Sequence, residues 1–135
     1  MEPITTLAIG IDLGFVPTAE GGRQTPLLGG YAKEYRFNYR PNWGLPGWPE
    51  GDQTAGPVLG FSRTNIRPGE RTRAILVPLF PERVPAWLDV QPNDELRMYE
   101  GSRICGRGLV QWVEPAIWPM PGDEQDRLVS LLAQG

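Results

Sequence analysis

Leu7, Ile9, Ile11 and Leu13 alternate with small or polar residues through Ile4–Phe15, the period of a half-buried strand. The same period recurs in Lys33–Tyr39, where Tyr35, Phe37 and Tyr39 share one face and Glu34, Arg36 and Asn38 the other. Arg71–Phe80 predicts a further strand, interrupted at Pro78, as suits an edge or a bulge. Glu95–Glu100 and Arg103–Val113 flank Gly101-Ser102 and predict a hairpin. Pro41–Pro57, with Trp43 and Trp48, reads as a long loop, and Pro81–Pro92, with Trp87, as a second one. The pattern changes near the end. Asp123 suits a helix cap, and Leu128, Val129, Leu131 and Leu132 form an apolar stripe, which predicts a short helix over about 123–133.

The stretch EGGRQTPLLGGY, Glu20–Tyr31, sets two glycine pairs around an apolar run. It is either a flexible linker or a loop whose backbone needs angles and approaches that only glycine allows. Composition bears on this choice. Gly 17 and Pro 15 in 135 residues reach a level that can signal disorder, yet five Trp, four Tyr and four Phe supply large apolar surfaces. Glycine and proline here punctuate apolar runs, which indicates one ordered, β-rich domain over 1–135. No stretch approaches 18 apolar residues and no basic-then-apolar leader opens the chain, so the expectation is a cytoplasmic protein with no membrane contact.

Charge and residue types narrow the chemistry. There is no histidine, which closes Ser-His and Cys-His nucleophile pairs and the usual zinc sites. The single Cys105 can form neither an internal disulfide nor a thiolate cluster, and it reads as a small buried hydrophobe. The net charge is −3, and residues 111–135 hold one base, Arg127, against Glu114, Asp123, Glu124 and Asp126. The preceding part is balanced, without the basic surplus usual in nucleic-acid modules. IGIDLG, Ile9–Gly14, echoes a phosphate-binding turn but falls on the first strand, and no Gly-x-x-x-x-Gly-Lys-Ser/Thr cradle occurs. The chain is therefore expected to have no catalytic, cofactor, nucleotide or metal site.

Three motifs in order carry a family resemblance: EGGRQTPLLGGY with its following aromatic alternation, RPGER at Arg67–Arg71, and LRMYEGSRICGRGLV at Leu96–Val110. Together they resemble the third domain of translation elongation factor Tu, over about Leu7–Val113. The resemblance implies an all-β fold, a closed six-stranded antiparallel β-barrel over about 4–113, followed by the short helix, in a copy lacking the GTPase domain. It also implies that the glycine loop is a structured crossing with Leu27 and Leu28 packed. Carried over to this chain, the family's tRNA T-stem contacts fall on Glu100 and Gly101, which are kept, and on Glu34, where a glutamine amide has become a carboxylate. Two further contacts fall near Trp43 and Phe80, where no matching residue stands.

The reading that follows is a non-enzymatic, stand-alone binding module with a protein partner. Trp43 and Trp48, with the acidic tail helix beside them, are the candidate partner-binding residues, unless they fold back over an open end of the barrel. Translation-associated RNA binding, to tRNA or the ribosome, is the alternative, with Glu34, Glu100 and Gly101 as candidate contacts. A decoy or immunity-type factor linked to toxins that use the elongation factor is a further reading, by analogy alone.

Overall fold

A computed structural model describes residues 3–133. Alternation becomes strand where the sequence shows it longest. The elements are β1 (Ile4–Phe15), β2 (Leu27–Leu28), β3 (Asn42–Gly44), β4 (Thr54–Ala55), β5 (Val58–Phe61), β6 (Asn65–Ile66), β7 (Arg71–Leu76), β8 (Glu95–Glu100), β9 (Arg103–Trp118) and α1 (Gly122–Leu132). The fold is mostly β with one short C-terminal helix. Seven strands form an antiparallel sheet in the order β4-β3-β8-β9-β1-β7-β5, and β2 pairs with β6 separately. At the β5 side, backbone bonds from Phe37 N to Val58 O (3.1 Å), Val58 N to Tyr39 O (2.9 Å) and Gly56 N to Pro41 O (3.2 Å) hold the segment that leads into β3.

β1 organises the sheet. It pairs with β9 from Ile4↔Trp118 to Phe15↔Gly106, and with β7 from Ile9↔Leu76 to Gly14↔Arg71. The β9 register shifts opposite Gly10/Ile11, leaving Gln111 as an extra residue. Gly10 has a packing reason: a Cβ there would lie 2.2 Å from the indole of Trp112. The IGIDLG stretch is thus mid-strand, and its first glycine makes room for a ring.

One face of the sheet carries the larger core, and α1 covers part of the other. Inside lie Ile9, Ile11, Leu13, Trp43, Leu76, Leu96, Met98 and Cys105. Outside, Ala8, Leu59, Ile75 and Val77 pack against Leu128, Val129 and Leu132 of α1. The apolar stripe of α1 therefore finds its cover on the sheet of its own chain. Arg73 on β7 donates to the carbonyls of Leu131 (3.2 Å) and Leu132 (2.7 Å), which satisfies helix-end acceptors that lack intrahelical partners. Arg36 pairs with Asp126 at 2.9 Å, and Arg127 bridges Glu114 and Glu124. The N-cap position is Pro121 without a side-chain cap, so Asp123 lies inside the first turn.

Several local expectations are corrected. Lys33–Tyr39 is not a strand: Lys33–Tyr35 is a 3₁₀ turn, and Phe37 has φ 61°, which breaks the alternation. Its aromatic side chains then diverge. Tyr35 is exposed, Phe37 meets the Trp118 ring edge-on at 4.7 Å, and Tyr39 packs on the inner core. Pro41–Pro57 contains β3 and β4, because cross-strand bonding to β8 overrides a glycine- and proline-rich composition. β9 runs five residues beyond Val113, following β1.

Replacing Leu128, fully buried against the sheet, by Ala is expected to cost about 2–5 kcal/mol in urea unfolding. Ser130→Ala, on the exposed side of α1, is expected to cost under about 0.5 kcal/mol. Equal, small losses at both positions would mean that α1 is not docked.

Candidate interaction surfaces

The glycine loop is built rather than loose. A 3₁₀ turn at Thr18–Glu20 ends on Gly21 with φ 97°, and Gly22 N donates to Pro17 O at 3.0 Å. A Cβ on Gly22 would sit 1.9 Å from the Val16 carbonyl oxygen, so only glycine allows this crossing. Beyond it, Thr18 donates to Arg23 O at 2.5 Å and Arg23 Nε to Thr25 O at 3.1 Å. Arg23 is thereby aimed at Glu100, with which its guanidinium forms an ion pair.

Glu100 is the centre of a polar knot. Besides Arg23, it accepts from the Tyr39 hydroxyl at 2.6 Å, and that hydroxyl lies 3.9 Å from Cys105 Sγ. Cys105 is fully buried and donates to Met98 O at 3.5 Å. Three separate stretches, the glycine loop, the approach to β3 and the β8–β9 hairpin, meet on one carboxylate. Burial is the main force raising the Tyr39 phenol well above its ordinary range, with the thiol and Glu100 adding to it. Burial, then the charge of Glu100, pushes the Cys105 thiol up to about 11.

Of the positions carried over from the family resemblance, Glu100 thus has its carboxylate engaged within the chain. Gly101 is exposed in the hairpin turn with φ 61°, and its carbonyl accepts from Gln53 Nε2 at 3.0 Å. Glu34 is exposed on the 3₁₀ turn, and its carbonyl accepts from Asn38 Nδ2 at 2.7 Å. The structure joins Glu100 and Gly101 through the hairpin but gathers Glu34 into neither contact.

The tryptophan pair is divided. Trp43 is completely buried, its indole donating to Gly56 O at 2.7 Å, so it offers no surface to a partner in this conformation. The physical reason is its place on β3 opposite Met98, which turns the ring into the inner core. Trp48 is half-buried against that core, and its carbonyl accepts from Arg97 at 2.8 Å. The tail helix is likewise held on the sheet. Arg107 and Glu95, at 3.7 Å and both about half-exposed, form a loose solvated pair.

Exposed apolar side chains lie elsewhere. Leu27 is buried, as expected, but Leu28 is 67% exposed, because among the described residues β2 pairs with β6 alone and its second side chain faces away. Leu28 and Tyr35 flank a small cleft of about 80 Å³ whose floor includes Tyr39, Val58 and Phe61. A second, larger groove of about 490 Å³ carries Glu20, Glu50, Arg71 and Arg107, a balanced set of charges. Sequence reasoning missed Leu28 because a Leu-Leu pair does not show which member will face inward.

Among the described residues, no group of three His, Cys, Asp or Glu is placed to hold a metal, and no helix is long and apolar enough to cross a membrane. The chain matches no known protein-family model, and no curated protein matches it significantly.

The buried thiol and phenol set an alkaline limit on stability. Their ordinary values are 9.0 and 10.0, and folding raises both, so above these the unfolded chain loses protons that the folded chain keeps. Stability from this source is fully present below about pH 9 and falls as pH rises towards 11. Melting temperatures of the wild type and of the Cys105→Ala/Tyr39→Phe double variant should converge across that window. A parallel alkaline decline in both proteins would assign the effect to other groups.

Proposed function

We propose that this chain is a non-enzymatic binding module of the type formed by the third domain of elongation factor Tu. Its sheet closes into a six-stranded antiparallel barrel, β3-β8-β9-β1-β7-β5, and it engages a protein partner. The backbone bonds between Phe37–Pro41 and Gly56–Val58 support closure, since they join the two ends of that order. The three ordered sequence motifs support the kinship.

The observation that carries the partner reading is Leu28. A large apolar side chain, 67% exposed on a strand of two residues, stands with Tyr35 beside an aromatic-floored cleft. The partner surface accordingly moves from Trp43 to Leu28 and Tyr35. Gly29 N and Gly30 N, next in the chain, donate to Thr64 O (2.9 Å) and Arg63 O (2.7 Å), which keeps this surface ordered before binding. RNA binding is the weaker reading, because Glu100 is engaged by Arg23 and Tyr39 and the charge over the barrel is balanced.

Capture from native lysate, with and without RNase, tests this. The wild type should retain its partner after RNase treatment, and Leu28→Asp should lose it at an unchanged melting temperature. Retention by Leu28→Asp, or release of all captured material by RNase, would sink the proposal. Purified tRNA should bind no tighter than about 10⁻⁴–10⁻⁶ M at physiological salt. Sub-micromolar, salt-sensitive tRNA binding would promote the RNA reading instead.

A further inference from the structure

The last part of β9 has an unused side. β8 accompanies β9 only to Glu95↔Leu109, and Val110 is then bonded by Asn93 and Asp94 at 2.8 Å each. From Gln111 to Trp118, among the described residues, β9 has a pairing partner on one side only, β1. This stretch runs beyond Val113, where the elongation-factor resemblance ends.

Proline shows which groups face outward. Pro115 is opposite Leu7 and has no N–H to give β1, so this pair is of the non-hydrogen-bonded kind, with its backbone turned away. Alternation then puts the N–H groups of Val113 and Ile117, and the carbonyls of Val113, Pro115 and Ile117, on the open side. The extra residue Gln111 causes this, because it switches the parity of β9 after Val110. Such an edge is a template for another strand.

Beside the edge is a cleft of about 390 Å³, lined by Thr5, Pro115, Ile117, Pro121, Asp123 and Glu124. Ile117 is 39% exposed there. Arg127 pairs with Glu114 and Glu124, so among the described residues Asp123 is the lining carboxylate that carries no ion pair, and these three acids outnumber the one base. The surroundings are therefore apolar with an acidic rim. A second copy of this chain would bring an equally acidic rim against the first, which disfavours self-pairing.

We propose that the Val113–Ile117 edge and this cleft bind an extended segment of another protein, added to β9 as a strand. An apolar side chain of that segment fills the cleft beside Ile117, and a neighbouring Lys or Arg faces Asp123. Backbone pairing supplies the attachment, and the cleft and rim supply the choice of sequence. This surface is separate from Leu28 and goes beyond the function proposed above.

The probe is a short synthetic peptide of alternating lysine and valine, titrated into the isotope-labelled full chain. The amide signals of Val113 and Ile117 should shift and their hydrogen exchange should slow, with binding that weakens as salt is raised. Asp123→Lys, a change at an exposed site, should weaken binding several-fold. Methylating alternate backbone nitrogens of the peptide should abolish it, while Leu28→Asp should leave it unchanged. Equal binding of a glutamate–valine peptide, or saturation without change at the Val113 and Ile117 amides, would overturn the proposal. So would absence of binding, or a dimer of the chain that Ile117→Asp dissociates.

Discussion

The pairing of β1 with β9 is the constraint on which the rest of the structure depends. Twelve positions of β1, from Ile4 to Phe15, are held in register against β9, and six of them are also held against β7. From Ile9 to Gly14 the strand has both edges satisfied, and both of its faces are available for burial. Ala8, Ile9 and Ile11 accordingly lose nearly all exposure, Ala8 to the outer core and the two isoleucines to the inner one. The outer core exists because α1 covers it, and α1 stays because Arg73, on the strand next to β1, takes the carbonyls at its end. Removing water from both faces of one sheet gives a chain of this length a larger apolar core than a single face would.

The second organising feature is ionic. Glu100 draws together Arg23 from the glycine loop and Tyr39 from the approach to β3, at the mouth of the β8–β9 hairpin. This explains the motif order without reference to any ligand. The glycines make the crossing, the crossing delivers an arginine, and the hairpin supplies the acid that receives it. A partly buried carboxylate left without these partners would carry an uncompensated desolvation cost. The same desolvation raises the Tyr39 phenol and the Cys105 thiol, so both groups favour the folded state until alkaline pH deprotonates them in the unfolded chain.

Strand character was legible where alternation was long and flanked by turn residues, as in Ile4–Phe15 and in the two arms around Gly101-Ser102. The tail helix was legible too, from its stripe at helical spacing. The site was less so. Trp43 and Trp48 look alike in a loop of glycine and proline, yet one is core and the other half-buried, because β8 recruits Asn42–Gly44 as a strand. Tyr35, Phe37 and Tyr39 alternate in sequence, but the positive φ of Phe37 sends them to three different environments. Leu27 and Leu28 are adjacent and equivalent by type, and only the pairing with β6 decides that Leu28 faces out.

By itself the sequence determined the β-rich class, the hairpin and the helix, because these rest on local backbone preference and on side-chain periodicity. Tertiary structure alone decided which aromatic rings are buried, which carboxylate holds the loop, and which side of β9 stays open past Gln111. Those outcomes depend on contacts between residues far apart in the chain, such as Arg23 with Glu100 and Arg73 with Leu132. No local pattern encodes them, since the free energy of each contact exists only once the sheet has brought its two ends together.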